Sequence, residues 1–513
     1  MKYIRNLSFP ILVIFSFGFF LRFYGIIINH PFWVDEFSTA VQANLILKYG
    51  LSVFNNPDVF FEPHNITTHF LVALFFKLFG QKEWIARLPF VIIGSLVPVV
   101  VFFLTKYLSD IKTALSAAIL TTFSYLEILW SRQARGYVLQ QLLILTAFYL
   151  YLKIINDRKK STFDFCLLTF TLLLGLLTHT MFLIAVISIV VHLILTNRKL
   201  VLLILSQLWF YLSFFLLLFI MYKVNFLANV LSFFTNPLQL SNNFWYYHSF
   251  LWREYGLVSF LGFFGLILAY FKKKQPVSLI ILFIIFQLIF VNFIFSPYHS
   301  RYLLPILSFL FIGMAFSISS LAQPIFPRLK FIIPLLITLA IIFNGNKFVF
   351  KPKKYYSLNH DFREVANIDY HQIYDLITKK TKKEKKVAII ETWPARTYWY
   401  FNNINYEPLY HFRWQDEEGL ALGMAKKTSF QYNSSGEKIM AKNLGFVGEL
   451  SDLLKVIKKY PKGFIFIDDS SLPKEIISYS EKNFKKELYL DHYPLDDNPY
   501  SIWPATLYSW GIK

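Results

Sequence analysis

Charge is scarce in this sequence, and acid is scarcer than base. Of 513 residues, 16% are charged and 56% are hydrophobic, with 58 Phe, whereas about a quarter of an ordinary soluble domain is charged. So little charge excludes a wholly soluble chain and points to one embedded in lipid. Cysteine is nearly absent too. Cys166 is the single one, which excludes an intrachain disulfide and leaves its thiol to be read as a small buried apolar group. The net charge of +20 does not by itself indicate nucleic acid. Residues 1–346 hold 25 Lys and Arg against 10 Asp and Glu, and residues 347–513 hold 26 against 21. The excess of base therefore lies in the apolar part, where basic loops have an ordinary membrane cause.

What is abundant is apolar sequence. About eleven runs lie near 9–28, 86–105, 113–130, 137–152, 162–177, 180–196, 200–222, 257–271, 277–295, 301–321 and 329–346, several of them shorter than the roughly 20 residues of a full span. If Lys2 and Arg5 are cytoplasmic, Lys106 and Lys112, Lys153 with Arg158, Lys159 and Lys160, Arg198 and Lys199, Lys272 to Lys274, and Arg328 with Lys330 all fall on that same side. This is the positive-inside pattern. The expected architecture is a polytopic α-helical membrane protein of the plasma (inner) membrane, residues 1–346, with about eleven transmembrane helices. A soluble mixed α/β domain, residues 347–513, follows on the extracytoplasmic side. Within it, "KKVAII" and "KGFIFIDD" read as buried strands and "SDLLKVIKKY" as a helix. The first apolar run lacks a small-x-small cleavage site and reads as an uncleaved helix; Arg22, near its end, should face protein or reach the interface. "FLVALFFKLFGQKEW", Phe70 to Trp84, is too short to span and reads as an interfacial segment.

The few acids are unevenly placed. Of the ten before residue 347, Asp35, Glu36, Asp58 and Glu62 all fall in the first outer loop, residues 29–85. A hydrated loop can carry carboxylates for solubility alone. These, however, stand beside Phe32 and Trp33, and in "EPHNITTH" beside His64 and His69, and clustered ionisable groups at a membrane edge mark sites. Outer helix ends collect cations: Arg132 and Arg135 in "WSRQARGY", Arg253 in "FLWREYG", and Arg301 with Tyr298 and His299 in "SPYHSRYLLP". Arginine's planar fork grips phosphate oxygens bidentately, and flanking spans can hold an apolar chain. A substrate with a phosphate head and a greasy tail suits such a set. Anchoring at headgroups is the competing account; a ligand role is favoured for Arg301, and the two balance for Arg253. Glu62 and His64 are candidate ligands for a divalent metal such as Zn²⁺, Mn²⁺ or Mg²⁺, although interfacial hydrogen bonding is the plainer role. His179 either lines a cavity or caps a helix end.

Five segments in order, "FWVDEFSTA", "EPHNITTHFLVALFFKLFGQKEWIARLPF", "SRQARGYVLQQLLIL", "LTHTMFLIAV" and "HSRYLLPIL", resemble the GT-C class of membrane glycosyltransferases. The resemblance is to the group that includes the protein O-mannosyltransferases and the bacterial lipid A aminoarabinose transferases, and it covers roughly residues 10–320. It implies transfer of a sugar from a polyprenyl-phosphate carrier to an extracytoplasmic acceptor (protein, lipid or polysaccharide) with inversion, in cell-surface glycan or glycoprotein assembly. It implies Asp35 and Glu36 as the catalytic pair, with Asp35 taking the acceptor's proton and Glu36 supporting it. Arg301, with Arg132, Arg135 and Tyr298, would meet the departing lipid phosphate, and Trp33, Glu62, His64, His179 and Arg253 would line the cavity. Where many relatives carry a His-Pro-Pro run, only the Pro63–His64 neighbourhood matches. Two other classes fit the composition: a transporter or flippase of lipid-linked sugars, which should show paired broken helices, and a non-catalytic glycan-binding subunit using Trp393, Tyr398 and Trp399.

Overall fold

The computed structural model describes residues 2–28, 31–54, 65–156, 161–197, 241–272, 274–295, 298–325, 332–345, 347–353, 369–381, 387–391, 395–401, 409–412, 431–432, 438–440, 444–468, 473–490 and 505–512, with 215, 218, 219, 222 and 329. Two compact units make up the chain. One is Met1–Ile27 with Glu62–Lys354, the other Ile28–Phe61 with Tyr355–Lys513.

The first unit is helical, as a lipid-embedded backbone must be to satisfy its own hydrogen bonds. Five helices among the described residues are long and apolar enough to cross a membrane: Phe9–Ile28, Glu83–Leu108, Tyr137–Asn156, Gln275–Ile294 and Ser300–Ala322. A sixth is added if Phe244–Glu254 and Gly256–Lys272, bent by 98°, form one span. Shorter apolar helices cover Ile66–Phe79, Ile111–Phe123, Thr162–Thr178, Phe182–Thr196 and Ile332–Asn344. The chain is thus a multi-pass helical membrane protein; the expected run at 200–222 lies largely outside the described residues. In order, α1 is Lys2–Phe23, α3 Ile66–Phe79, α4 Glu83–Leu108, α5 Ile111–Phe123, α6 Tyr125–Ser131, α7 Tyr137–Asn156, α8 Thr162–Thr178 and α9 Phe182–Thr196.

Two close approaches position these helices. Gly262 and Gly265 on the Gly256–Lys272 helix lie against Leu310, Gly313 and Ser317 of the Leu304–Ile325 helix, so near that a Cβ at Gly265 would collide with the Gly313 carbonyl. Small residues allow this backbone contact in lipid, where apolar burial drives no association. The Ser317 hydroxyl adds a 2.6 Å bond to the Leu261 carbonyl. At α1, Arg22 faces protein, as expected of a cation in an apolar helix. It is wholly buried, and its guanidinium donates to Ser131 Oγ at 3.1 Å, to the Gly18 carbonyl at 3.1 Å and to the Thr122 carbonyl at 3.3 Å. Gly94 of α4 leaves the room that Ser131 and Arg22 fill.

The structure corrects two expectations here. The apolar run at 113–130 is two helices, because Ser124 turns extended (φ −61°, ψ 128°). The flanking backbone then pairs with a distant segment: Tyr125 N–H to the Lys347 carbonyl at 2.9 Å, and Val349 N–H to the Phe123 carbonyl at 2.7 Å. Cys166 is exposed, not buried. It sits on α8, and an apolar helix face in lipid need not be packed against protein to be removed from water.

The second unit holds α2, Val34–Tyr49, and a sheet of eight strands: β1 Ala388–Glu391, β2 Leu409–Phe412, β3 Gln431–Tyr432, β4 Lys438–Met440, β5 Leu444–Val447, β6 Gly463–Ile467, β7 Lys485–Leu490 and β8 Ala505–Trp510. Their order is β3-β4-β5-β2-β1-β6-β8-β7. The four central strands are parallel and the outer pairs antiparallel, which is the expected mixed sheet. "KKVAII" and "KGFIFIDD" form β1 and β6, buried along their whole length, as strands covered on both faces must be. One face of these strands, Ala388, Ile390, Ile465 and Ile467, packs with Leu453 and Val456 of the Leu450–Lys459 helix and with Ile476.

Candidate functional site

In the first unit, aromatic rings gather two of the expected arginines. The Arg301 guanidinium carbon lies 5.8 Å from the Trp130 ring centre, 5.2 Å from that of Tyr137 and 5.4 Å from that of Tyr302. Arg135 lies 5.8 Å from the same Tyr137 ring. Tyr137 is the first residue of α7, and Ser300–Leu303 is a 3-10 turn leading into the Leu304–Ile325 helix, so both arginines hang on helix starts. His179 joins them, 5.6 Å from Tyr137 and 6.5 Å from Tyr302 between ring centres. It also accepts the Met181 N–H at Nδ1, 3.2 Å away, so it both caps the start of α9 and faces the aromatic cluster. Tyr298 reaches the cluster through His299, which lies 5.7 Å from Tyr302, and the Tyr247 hydroxyl accepts the His299 N–H at 3.2 Å. Gly136, between Arg135 and Tyr137, is glycine because a Cβ there would strike Thr68 of α3 and crowd Thr178 of α8.

The other expected cations are engaged differently. Arg132 is fully buried, and its Nη1 donates to the carbonyls of Arg22 at 3.0 Å and Tyr24 at 2.5 Å. Those are terminal carbonyls of α1, groups that otherwise lack an intrahelical partner. Arg253 is exposed, and its Nε donates to Glu254 at 2.7 Å; Glu254 also pairs with Lys347.

In the second unit, Asp35 and Glu36 occupy the first turn of α2, where the helix dipole favours carboxylates. Glu36 is buried and Asp35 half-buried. Trp33, buried and extended, immediately precedes them. Aromatic contacts fix this helix: Phe32 lies 5.1 Å from Trp399, and Phe37 lies 5.5 Å from Tyr370 and 5.7 Å from Tyr400. Trp399, a candidate sugar platform by sequence, thus packs against Phe32; Trp393 lies outside the described residues.

Beneath the aromatics is a buried polar group of residues. Strand alternation carries Glu391 of β1 to the same sheet face as Phe466 of β6 and, one step past the strand, Asp468. Arg396 Nη1 donates to Asp468 Oδ2 at 2.8 Å, and Arg396 Nε is 3.6 Å from Glu391 Oε2. Glu391 further accepts the Tyr374 hydroxyl at 2.6 Å and the Thr397 N–H at 3.1 Å. Burial pushes the Glu391 carboxyl up, and Arg396, Thr397 and Tyr374 offset that only in part. Burial likewise pushes the Tyr374 hydroxyl well up, with the Glu391 charge adding to it.

Glu62 and His64 lie outside the described residues, and among those described no group of three His, Cys, Asp or Glu could hold a metal ion. The aromatic partners of Arg301, namely Trp130, Tyr137 and Tyr302, are residues that sequence reasoning passed over. Their signal was adjacency: Tyr137 follows Arg135 by two residues, and Tyr302 directly follows Arg301.

Residues 63–225 match the family model described as dolichyl-phosphate-mannose-protein mannosyltransferase. Among solved structures, the chain is similar to ArnT from Cupriavidus metallidurans in the apo state, at 12% identity and a TM-score of 0.62, over 99% of this chain and 98% of that one. It is also similar to that ArnT bound to undecaprenyl phosphate, at 11% identity, a TM-score of 0.60 and 98% of each chain. The apo oligosaccharyltransferase of Archaeoglobus fulgidus aligns at 14% identity and a TM-score of 0.52, over 90% of this chain and 69% of that one. No curated protein matches the chain at a significant level. Its fold is that of the GT-C membrane glycosyltransferases its sequence resembles.

Proposed function

We propose that this chain is an integral-membrane glycosyltransferase. It moves a sugar, hexosyl or pentosyl, from a polyprenyl-phosphate donor to an acceptor hydroxyl with inversion, in assembly of a cell-surface glycan or glycoprotein. The observation that carries the reading is the shared aromatic seat of Arg135 and Arg301 on Tyr137, in a chain whose relative ArnT is known with undecaprenyl phosphate bound. The N-terminus is cytoplasmic and residues 347–513 are extracytoplasmic, which the distribution of loop Lys and Arg supports.

Inversion takes one displacement, and the residues divide its work. Asp35 accepts the acceptor hydroxyl's proton as that oxygen attacks the anomeric carbon. Glu36, buried beside it on the first turn of α2, orients Asp35 or the sugar hydroxyls. As the glycosidic bond to phosphate breaks, the electron pair leaves on the lipid phosphate, and Arg301 with Arg135 stabilises it. Rings stacked on a guanidinium fix its plane and leave the N–H fork in that plane to address oxyanions. Tyr298 and His179 complete the wall on which the headgroup rests. Arg132 contributes by holding the end of α1. A divalent metal, if this chain uses one, would draw on Glu62 and His64.

The test is sugar transfer by the purified protein with polyprenyl-phosphate sugars and candidate acceptors. Loss of a general base lowers turnover about 10²- to 10⁴-fold, so Asp35→Asn should fall in that range while remaining folded. Undiminished turnover in the folded variant would remove Asp35 from the mechanism. A flippase reading calls for paired broken helices; one bent pair is found among the described residues.

A further inference from the structure

The buried polar residues under α2 ask for an explanation. Glu391 and Arg396 are wholly buried and Asp468 nearly so, three charged side chains in the interior of one small unit. Two carboxylates share one guanidinium, with Arg396 also stacked 4.8 Å from the Tyr370 ring centre and 5.2 Å from that of Phe466. Buried ion groups of this kind add little stability over apolar residues of the same shape, and their best-attested use is to fix one arrangement among several.

What they fix is a helix too short to hold itself. Ala395–Tyr400 has six residues, far below the length at which an isolated helix is stable. Within it, Arg396 and Thr397 bind the C-terminal ends of the central strands β1 and β6 through Glu391 and Asp468, and Trp399 and Tyr400 touch Phe32 and Phe37. The second wall is tied to the same network: Tyr374 donates to Glu391 and stacks on Tyr400 at 4.5 Å, and Tyr370 touches both Arg396 and Phe37. Phe37 is thus held by two tyrosines, Tyr370 and Tyr400, whose contacts lead back to Arg396, and it directly follows Asp35 and Glu36 in sequence.

We propose that Arg396 is a positioning residue: braced by Asp468 and Glu391, it sets the aromatic seat of Phe32 and Phe37 and so fixes the first turn of α2, with its carboxylates, for the transfer step. The assignment rests on Asp35 being the base, as proposed above. It predicts a fault in the chemical step, since misplacement by about 1 Å far from the reaction can lower a rate about 100-fold. Donor recognition is assigned to Arg301 and Arg135 and should be untouched.

The test uses the full-length protein in detergent or nanodiscs. Removing Arg396 alone would strand two buried carboxylates, so the informative variant neutralises all three charges: Glu391→Gln, Arg396→Met and Asp468→Asn together. We expect a thermal midpoint close to that of the parent, kcat lowered roughly 10- to 100-fold, donor KM within about twofold, and faster amide exchange in the first turn of α2. Phe37→Leu, which loosens the seat without touching the charges, should move kcat and KM in the same way. Parental kcat in the folded triple variant overturns the proposal. If that variant does not fold, parental kcat in Phe37→Leu overturns it. Full activity in Asp35→Asn instead removes the base assignment, a separate outcome that leaves the measured effect of the triple variant standing as a coupling to α2.

Discussion

At Arg301 the chemistry of one side chain bears on the proposed hold on a lipid phosphate. Trp130, Tyr137 and Tyr302 surround its guanidinium, and the group is nearly buried, at 8% exposure. A planar, delocalised cation tolerates that environment; a lysine ammonium presents no plane to the rings and no fork to a phosphate. Hydrogen bonds to charged groups contribute about 1.5–3 kcal/mol, and each 1.4 kcal/mol is a factor of about ten. Arg301→Lys should therefore lower kcat/KM for the lipid-phosphate donor by roughly 10- to 100-fold, and Arg301→Ala by at least as much, measured at saturating acceptor. Arg132→Lys should behave differently. Its Nη1 binds the carbonyls at the end of α1, so loss of melting temperature is expected before any loss of donor binding per folded molecule. Sequence placed Arg132 beside Arg135 in one quoted stretch and gave both, with Arg301, to the phosphate; it could not separate them, because the difference lies in which distant residues fold back onto each.

Among elements, the Gly256–Lys272 and Leu304–Ile325 helices show how backbone contact replaces side-chain packing. Gly265→Leu forces a side chain into the Gly313 carbonyl, and overpacking of this kind lowers stability by about 1–3 kcal/mol or more. A reduced thermal midpoint of the detergent-solubilised protein is the expected reading, with Gly256→Ala as the control, since a Cβ there meets nothing within 4 Å. Strand β7 offers an electrostatic test. Burial acts to raise the Glu487 carboxyl, but Lys380, 2.6 Å away, Ser509 and Lys485 outweigh it and hold it below the usual carboxylate range. A carboxylate whose folded pKa is depressed stabilises above its unfolded pKa, about 4.5, and that stabilisation is lost as pH falls through the folded value. The melting temperature of the second unit should fall with pH below about pH 4.5, and Glu487→Gln should flatten that dependence. Glu391, whose carboxyl is raised, has the opposite sign and works against the acid loss. Elements with a clean period were legible in advance: β1, β6 and the Leu450–Lys459 helix fall where "KKVAII", "KGFIFIDD" and "SDLLKVIKKY" place them. The break at Ser124 was not, because no Pro or Gly interrupts the run there. It is imposed by pairing with residues 347–349, more than 200 positions away.

At the scale of the whole chain, hydropathy sets an apolar part apart from a charge-rich one, with the composition changing near residue 347. Contacts draw the line elsewhere: Ile28–Phe61 belongs with Tyr355–Lys513. The reason is aromatic. Phe32 and Phe37 find their partners at Tyr370, Trp399 and Tyr400, a pairing over more than 300 residues that no local pattern announces. The acidic pair stood out by scarcity alone, while the framework that holds it was invisible until the chain was folded. This arrangement constrains how such a protein can be recombined. A chimera that exchanges only the C-terminal segment between two relatives would seat one parent's α2 on the other parent's tyrosines. Crossover points that respect the structure come in threes, near residues 28, 61 and 355, so the acid-bearing helix and the sheet travel as a single heritable module even though most of the polypeptide lies between them.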